Sequence, residues 1–155
     1  MSVTEHLYLD KQHPGLWKAI SGLGLKVQEA AEEAGISRAL LELLNVRISQ
    51  LNGCAYCLDL HVRRASEAGE TAQRLAVLPA WRETALFTDK ERAALALVES
   101  ITELPDQRSR EEAEGFARDC LTAAEFSAVS WVAVTMNAFN RVSISSHHPV
   151  RRDRV

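Results

Sequence analysis

The hydrophobic and polar positions of this chain show no alternating strand pattern, no internal repeat and no linker, and helix signals run from end to end. Pro14 suits the first turn of an opening helix that would reach about Ala34 and stop at Gly35. Ser37 then caps a second helix to about Leu51, with Leu40, Leu41, Leu44 and Ile48 on its apolar side. The breaker pair Asn52-Gly53 separates it from a third helix, Cys54 to about Ala68, closed by Gly69. A short helix near Thr71 to Ala76 precedes Pro79. Thr88 with Glu91, Ser109 with Glu112, and Thr122 with Glu125 read as capping boxes, each opening a further helix. The first of these runs to about Glu103, with Pro105 just beyond. The last runs from Ala123 to roughly Ser145.

That last helix is apolar on nearly every side. Its valines suit a strand, but its length and its cap predict a helix. A helix apolar all round must be buried, and in so short a chain a subunit interface is the expected cover. The whole pattern predicts one all-α domain over residues 1–155.

Composition narrows the class only a little. A chain of 155 residues, 46% hydrophobic and 25% charged, has the make-up of an ordinary globular domain able to bury its own core. The net charge of −3 predicts neither nucleic acid nor an anionic membrane as partner. Arg151, Arg152 and Arg154 form a local basic tail that reads as a solvated end. Residues 1–13 hold no apolar run of the signal-peptide kind, and the stretch Phe126 to Phe139 is too short to span a membrane. The expected location is therefore cytoplasmic, where two cysteines three apart point to catalysis or metal binding rather than a staple.

The chemistry gathers in Asn52-Gly-Cys54-Ala-Tyr56-Cys57-Leu-Asp59-Leu-His61. At about 100° per residue, Cys54, Cys57 and His61 fall within roughly a 60° arc of one helix face, while Tyr56, Asp59, Arg63 and Ser66 form a separate stripe. Thiol redox work needs a thiolate. Cys54 has the helix N-terminus to stabilise one, and Cys57 has His61 one turn on as base. These two arguments favour different sulfurs, and the residues alone leave that choice open. Two residues between the sulfurs also let an oxidised nucleophile be captured as a disulfide.

The alternatives are a pair of packed core cysteines or a zinc site. Cys54, Cys57 and His61 would supply three zinc ligands, with Glu42, His147 or His148 as a fourth, but no second ligand pair at short spacing is present. No metal is expected. A thioredoxin reading would need a βαβ context, and Cys120 reads as a packed thiol. Glu42 lies on a polar stripe with Asn45, Ser49 and Asn52, and on residues alone it reads as solvated and paired with Arg38. His6 and His13 are expected to be exposed, and Trp17, Trp81 and Trp131 to serve packing.

The run Arg47 to His61 resembles the core motif of the alkylhydroperoxidase D-like proteins, within the carboxymuconolactone decarboxylase superfamily. That motif is a glutamate about twelve residues before a Cys-x-x-Cys, with a histidine four after the second cysteine. Glu42, Cys54, Cys57 and His61 stand at those positions, and Asn140-Arg141 is similar to a recurring feature of the family. The resemblance covers roughly residues 10–145, with its core motif at about 38–69.

It implies an all-helical fold and a thiol peroxidase acting on organic hydroperoxides. Cys57 would be the peroxidatic thiolate, His61 and Glu42 its proton relay, and Cys54 the resolving thiol, with the polar stripe of Glu42, Asn45, Ser49 and Asn52 lining the active-site pocket. Tyr56 stands where the best-known members carry a second histidine, and its ordinary pKa near 10 makes it a poorer shuttle at neutral pH. The resemblance further implies a lipoylated or thioredoxin-like protein reductant, no bound organic cofactor, and a homo-oligomer of trimer or hexamer type. A redox sensor or disulfide-exchange protein using the same pair is the alternative. The superfamily's decarboxylase chemistry does not rely on a cysteine pair.

Overall fold

A computed structural model describes residues 6–153. The elements are α1 (Leu9–Gln12), α2 (Pro14–Glu33), α3 (Arg38–Asn52), α4 (Ala55–Glu67), α5 (Ala72–Val77), a 3-10 turn (Leu78–Glu83), α6 (Asp89–Glu103), α7 (Gln107–Cys120) and α8 (Ala123–Ser145). The fold is all-helical, as the patterning predicts. Arg151 and Arg152 of the basic tail are exposed, and Arg154 lies outside the described residues.

Local chemistry sets most boundaries. Ser37 accepts the Leu40 N–H, and the boxes at Thr88–Glu91 and Thr122–Glu125 are closed in both directions. The third box is not formed. Asp106 caps α7, and Ser109 sits inside the first turn, where its N–H and its hydroxyl both donate to the Asp106 carboxylate at 3.1 and 2.7 Å. An aspartate directly after Pro105 competes as a cap with any serine three residues later, and here it wins. Two elements go beyond the sequence expectation, the single turn α1 and the 3-10 turn after α5. In the latter, Leu78 and Trp81 are buried three residues apart, the spacing at which a 3-10 turn stacks its side chains.

Helix α3 lies at the centre. It packs against α4, α6 and α8, while α2 covers α8 and α7 folds back on α6. Leu43, Leu44 and Ile48 from α3 meet Leu95, Leu97 and Val98 from α6 and Val129 from α8 in one core. Helix α8 buries one side within the chain but leaves Trp131, Val134 and Ile144 substantially exposed. Trp81 is a core residue, Trp17 is half-buried, and His6 and His13 are exposed.

The turn between α3 and α4 positions the cysteines. Gly53 adopts a left-handed conformation (φ 67°), which costs a residue without a Cβ little. The Cys54 N–H reaches back to Ser49 O and the Gly53 N–H to Gln50 O, the pattern of a Schellman stop. Cys54 is at once the last residue of that stop and the N-cap of α4, so its backbone is held by both helices.

Candidate active site

Helix α4 presents Cys57 and His61 one turn apart, both buried, on the side facing α3. Across the hairpin, Glu42 is 1% exposed, which overturns the reading of it as a solvated side chain. The predicted Arg38 contact does exist, with Nη2 at 2.7 Å from Glu42 Oε1. The other oxygen, Oε2, lies 2.6 Å from His61 Nδ1 and accepts a longer bond, 3.4 Å, from Asn45 Nδ2. A carboxylate surrounded in this way is ionised. Burial alone would raise the Glu42 pKa, but the hydrogen bond and charge of His61, the charge of Arg38 and the Asn45 bond together hold it below the ordinary value.

This pairing fixes the chemistry of the imidazole. With Nδ1–H donating to Glu42, Nε2 carries the lone pair and is free to take a proton. Cys54 and Cys57 are joined as a disulfide, their Cα atoms 5.3 Å apart. The Cys54 sulfur also accepts the Cys57 N–H at 3.4 Å, so it sits directly on the helix N-terminus.

A cavity of about 450 Å³ opens over this cluster. Cys57, His61, Glu42 and Tyr56 line it and Cys54 does not, so the two sulfurs are distinguished by position. Asn45 lines it as well. Ser49 and Asn52, grouped with Glu42 in the sequence, turn instead to α8: Asn140 bridges Asn52 and Ser49 at 2.9 and 3.1 Å, and Asn137 accepts from Asn52. Asn140, fully buried, therefore locks the α3–α4 junction to α8 and stands outside the cavity.

Sequence reasoning missed the opposite wall. Trp17, Gly24 and Val27 of α2 and Val132, Thr135, Met136 and Phe139 of α8 carry no local signal that they share a cavity with the cysteines. It also left His148 without a role. The His148 ring lies edge-on to Tyr56, 5.4 Å between centroids, with Nε2 3.0 Å from Asp10 and Nδ1 3.2 Å from Ser143 Oγ. Tyr56, 40% exposed, thus sits at the cavity rim under the C-terminal segment. Cys120 is a free, partly buried thiol on α7.

Fold and site together define an all-α protein carrying a buried cysteine pair beside a His–Glu pair, of the alkylhydroperoxidase D-like type. The chain belongs to the carboxymuconolactone decarboxylase family, whose model matches residues 18–100 and so takes in Glu42, both cysteines and His61. It is 34% identical over 121 residues to the uncharacterized protein YdfG of Bacillus subtilis (strain 168), covering 78% of this chain and 82% of that one. A shorter match, 32% over 63 residues, links it to the uncharacterized protein YnjA of Escherichia coli (strain K12), over 41% of this chain and 35% of that one. Its fold superposes with a TM-score of 0.83 and 27% identity on a crystal structure from Agrobacterium tumefaciens, covering 94% of this chain and 99% of that one. That protein is described as of unknown function and, provisionally, as the antioxidant defence protein AhpD. No described helix is long and apolar enough to cross a membrane.

Proposed function

We propose that the protein is a thiol-dependent peroxidase that reduces organic hydroperoxides through a Cys54/Cys57 dithiol–disulfide cycle, acting as one alkylhydroperoxidase D-like domain in the cytoplasm. The observation that carries this reading is the unequal placement of the sulfurs: Cys57 lines the cavity beside His61, while Cys54 stands behind it within bonding reach.

His61 Nε2 takes the Cys57 proton, and Glu42 stabilises the imidazolium that results. The Cys57 thiolate attacks the terminal oxygen of ROOH. The O–O bond breaks, Cys57 becomes a sulfenic acid, and the alkoxide leaves as ROH with the proton returned by His61. The Cys54 thiol then displaces hydroxide from that sulfur, and disulfide and water result. In total, one hydroperoxide and two thiols give one alcohol, one water and one disulfide. In this reading Tyr56, at the rim, orients the substrate and is the poorer proton shuttle.

Both cysteines are almost fully buried, 1% and 3% exposed, and this favours a reductant on a thin arm. A lipoyl group fits that description better than a thioredoxin-like surface does. The exposed Trp131, Val134 and Ile144 of α8 supply an apolar face for a homo-oligomer, of trimer or hexamer type by the resemblance.

A redox sensor is the second reading, and it draws support from the cap. The Cys54 sulfur holds the start of α4, so a change in its oxidation state acts directly on that helix end. Decarboxylation, the activity in the family's name, makes no use of a buried dithiol.

The deciding experiment is mass spectrometry of fully reduced protein mixed with one equivalent of an organic hydroperoxide. Loss of two protons within seconds, mapped to Cys54–Cys57 and absent in Cys57→Ser, is the expected result. Survival of both thiols through minutes of exposure overturns the peroxidase reading.

A further inference from the structure

The cavity has features that the dithiol chemistry does not use. Its wall is apolar, with Trp17, Val132, Met136 and Phe139 facing the catalytic cluster. Ser21, Gln28, Asn45 and Ser143 also line it, and two further polar groups stand out. Among the described residues, the hydroxyl of Thr135, itself 4% exposed, has no hydrogen-bond partner. A buried hydroxyl left unsatisfied costs stability, so a ligand that accepts from it gains what the empty protein forgoes.

The second group is Arg64, on α4 two turns beyond Cys57. The other arginines of the described helices and the 3-10 turn all have an acceptor. Arg38 holds Glu42, Arg47 and Arg82 hold Glu99, Arg63 holds Asp59 and Asp153, and Arg74 holds Glu70 and Glu91. Those further along bind carboxylates or backbone and side-chain oxygens. Among the arginines of the described helices and the 3-10 turn, Arg64 alone has neither an ion pair nor a side-chain hydrogen bond, a state it shares only with Arg151 and Arg152 of the C-terminal segment. It is also exposed at the cavity margin, where a guanidinium keeps its charge and its fork geometry. Glu42, the one carboxylate among the described lining residues, is already paired with Arg38 and hydrogen-bonded to His61.

We propose that the cavity takes an amphipathic hydroperoxide bearing a carboxylate, a hydroperoxy fatty acid, with Arg64 pairing the carboxylate and Thr135 donating to a polar atom of the chain. This inference rests on the peroxidase reading and names its substrate class. Cys57 and Arg64 are seven residues apart, roughly 10 Å along the helix, so the peroxide sits in mid-chain when the carboxylate meets Arg64. The reaction is the one above: the hydroperoxy acid leaves as the hydroxy acid, with water and the Cys54–Cys57 disulfide.

The test uses a mid-chain hydroperoxide of linoleic acid and its methyl ester, with dithiol oxidation followed by rapid quench. In parallel, binding of the matching hydroxy acid and hydroxy ester to the reduced protein is measured by calorimetry. The wild type is expected to favour the acid by about tenfold in both readouts, as one charge-assisted bidentate bond at a partly exposed site would give. Arg64→Gln removes the preference, bringing the acid down to the level of the ester. Thr135→Val weakens binding of both hydroxy compounds, whereas a merely structural hydroxyl would leave binding alone.

Equal binding of hydroxy acid and ester to the wild type overturns the carboxylate site, whatever turnover shows. Acid-selective, Arg64-dependent binding without oxidation by any hydroperoxide supports the site and overturns the peroxidase reading instead.

Discussion

Glu42 Oε2 accepts the Nδ1–H of His61 at 2.6 Å across the α3–α4 hairpin, nineteen residues apart in the chain, with both side chains buried. This bond sets the tautomer of the imidazole and supplies the counter-charge for its protonated form. Glu42→Gln keeps the volume and removes the charge. The rate of Cys57 oxidation by hydroperoxide should fall on the order of 10²-fold, the scale of a lost general base. Stopped-flow measurement of thiol oxidation checks it, and a change under threefold would remove Glu42 from the relay.

The two cysteines should fail differently. Cys57→Ser should leave no oxidisable thiol in the cavity. Cys54→Ser should oxidise once and stall as a sulfenic acid on Cys57, which a dimedone adduct would reveal. Adducts on the wrong sulfur, with Cys57→Ser reactive and Cys54→Ser inert, would reverse the assignment in favour of the helix-dipole argument.

Acid should weaken the fold through two carboxylates. Glu42 and Glu99 are both held below their ordinary value of 4.5. For Glu99, burial pushes upward but is outweighed by bonds from Trp81 Nε1 (2.8 Å), Arg47 Nε (2.8 Å) and Arg82 Nη1 (2.6 Å). The native state thus favours the ionised forms more than the unfolded chain does. Their contribution is fully present above the unfolded value, and it is lost as pH falls from there through the lower native values. Urea unfolding across that range should show falling stability, with a shallower slope in Glu42→Gln or Glu99→Gln. At neutral pH, Glu99→Gln should itself cost roughly 1–3 kcal/mol, because two arginines lose their counter-ion. An unchanged slope in both variants would sink the account.

The cap of α7 offers a direct comparison. Asp106→Ala should lower the thermal midpoint, while Ser109→Ala, which removes a side chain from inside the first turn, should lower it less. The opposite order would restore Ser109 as the cap. Far-UV melting curves of the two variants decide it.

Much of the helix layout was legible because caps and stops act within one turn. Ser37, Thr88, Thr122 and Gly53 each satisfy or release backbone groups three or four residues away, so their spacing alone marks the ends. Ser109 misled because a competing aspartate stood three residues earlier. The 3-10 turn went unread because its anchor is tertiary: Trp81 is held by Glu99 on α6, eighteen residues on. In the site, the spacing of Cys54, Cys57 and His61 on one face was already visible.

What the sequence determined by itself, then, is the helical class, most helix ends and the presence of a dithiol beside a histidine, because each depends on neighbours along the chain. Tertiary structure alone decided that Glu42 is buried against His61, that Cys57 rather than Cys54 lines the cavity, and that Thr135 and Arg64 stand in its wall. It also joined His148 to Asp10, 138 residues away, and Asn140 to Asn52, 88 residues away. Burial and cavity walls arise where separate helices pack, and no local pattern encodes which of their faces will meet.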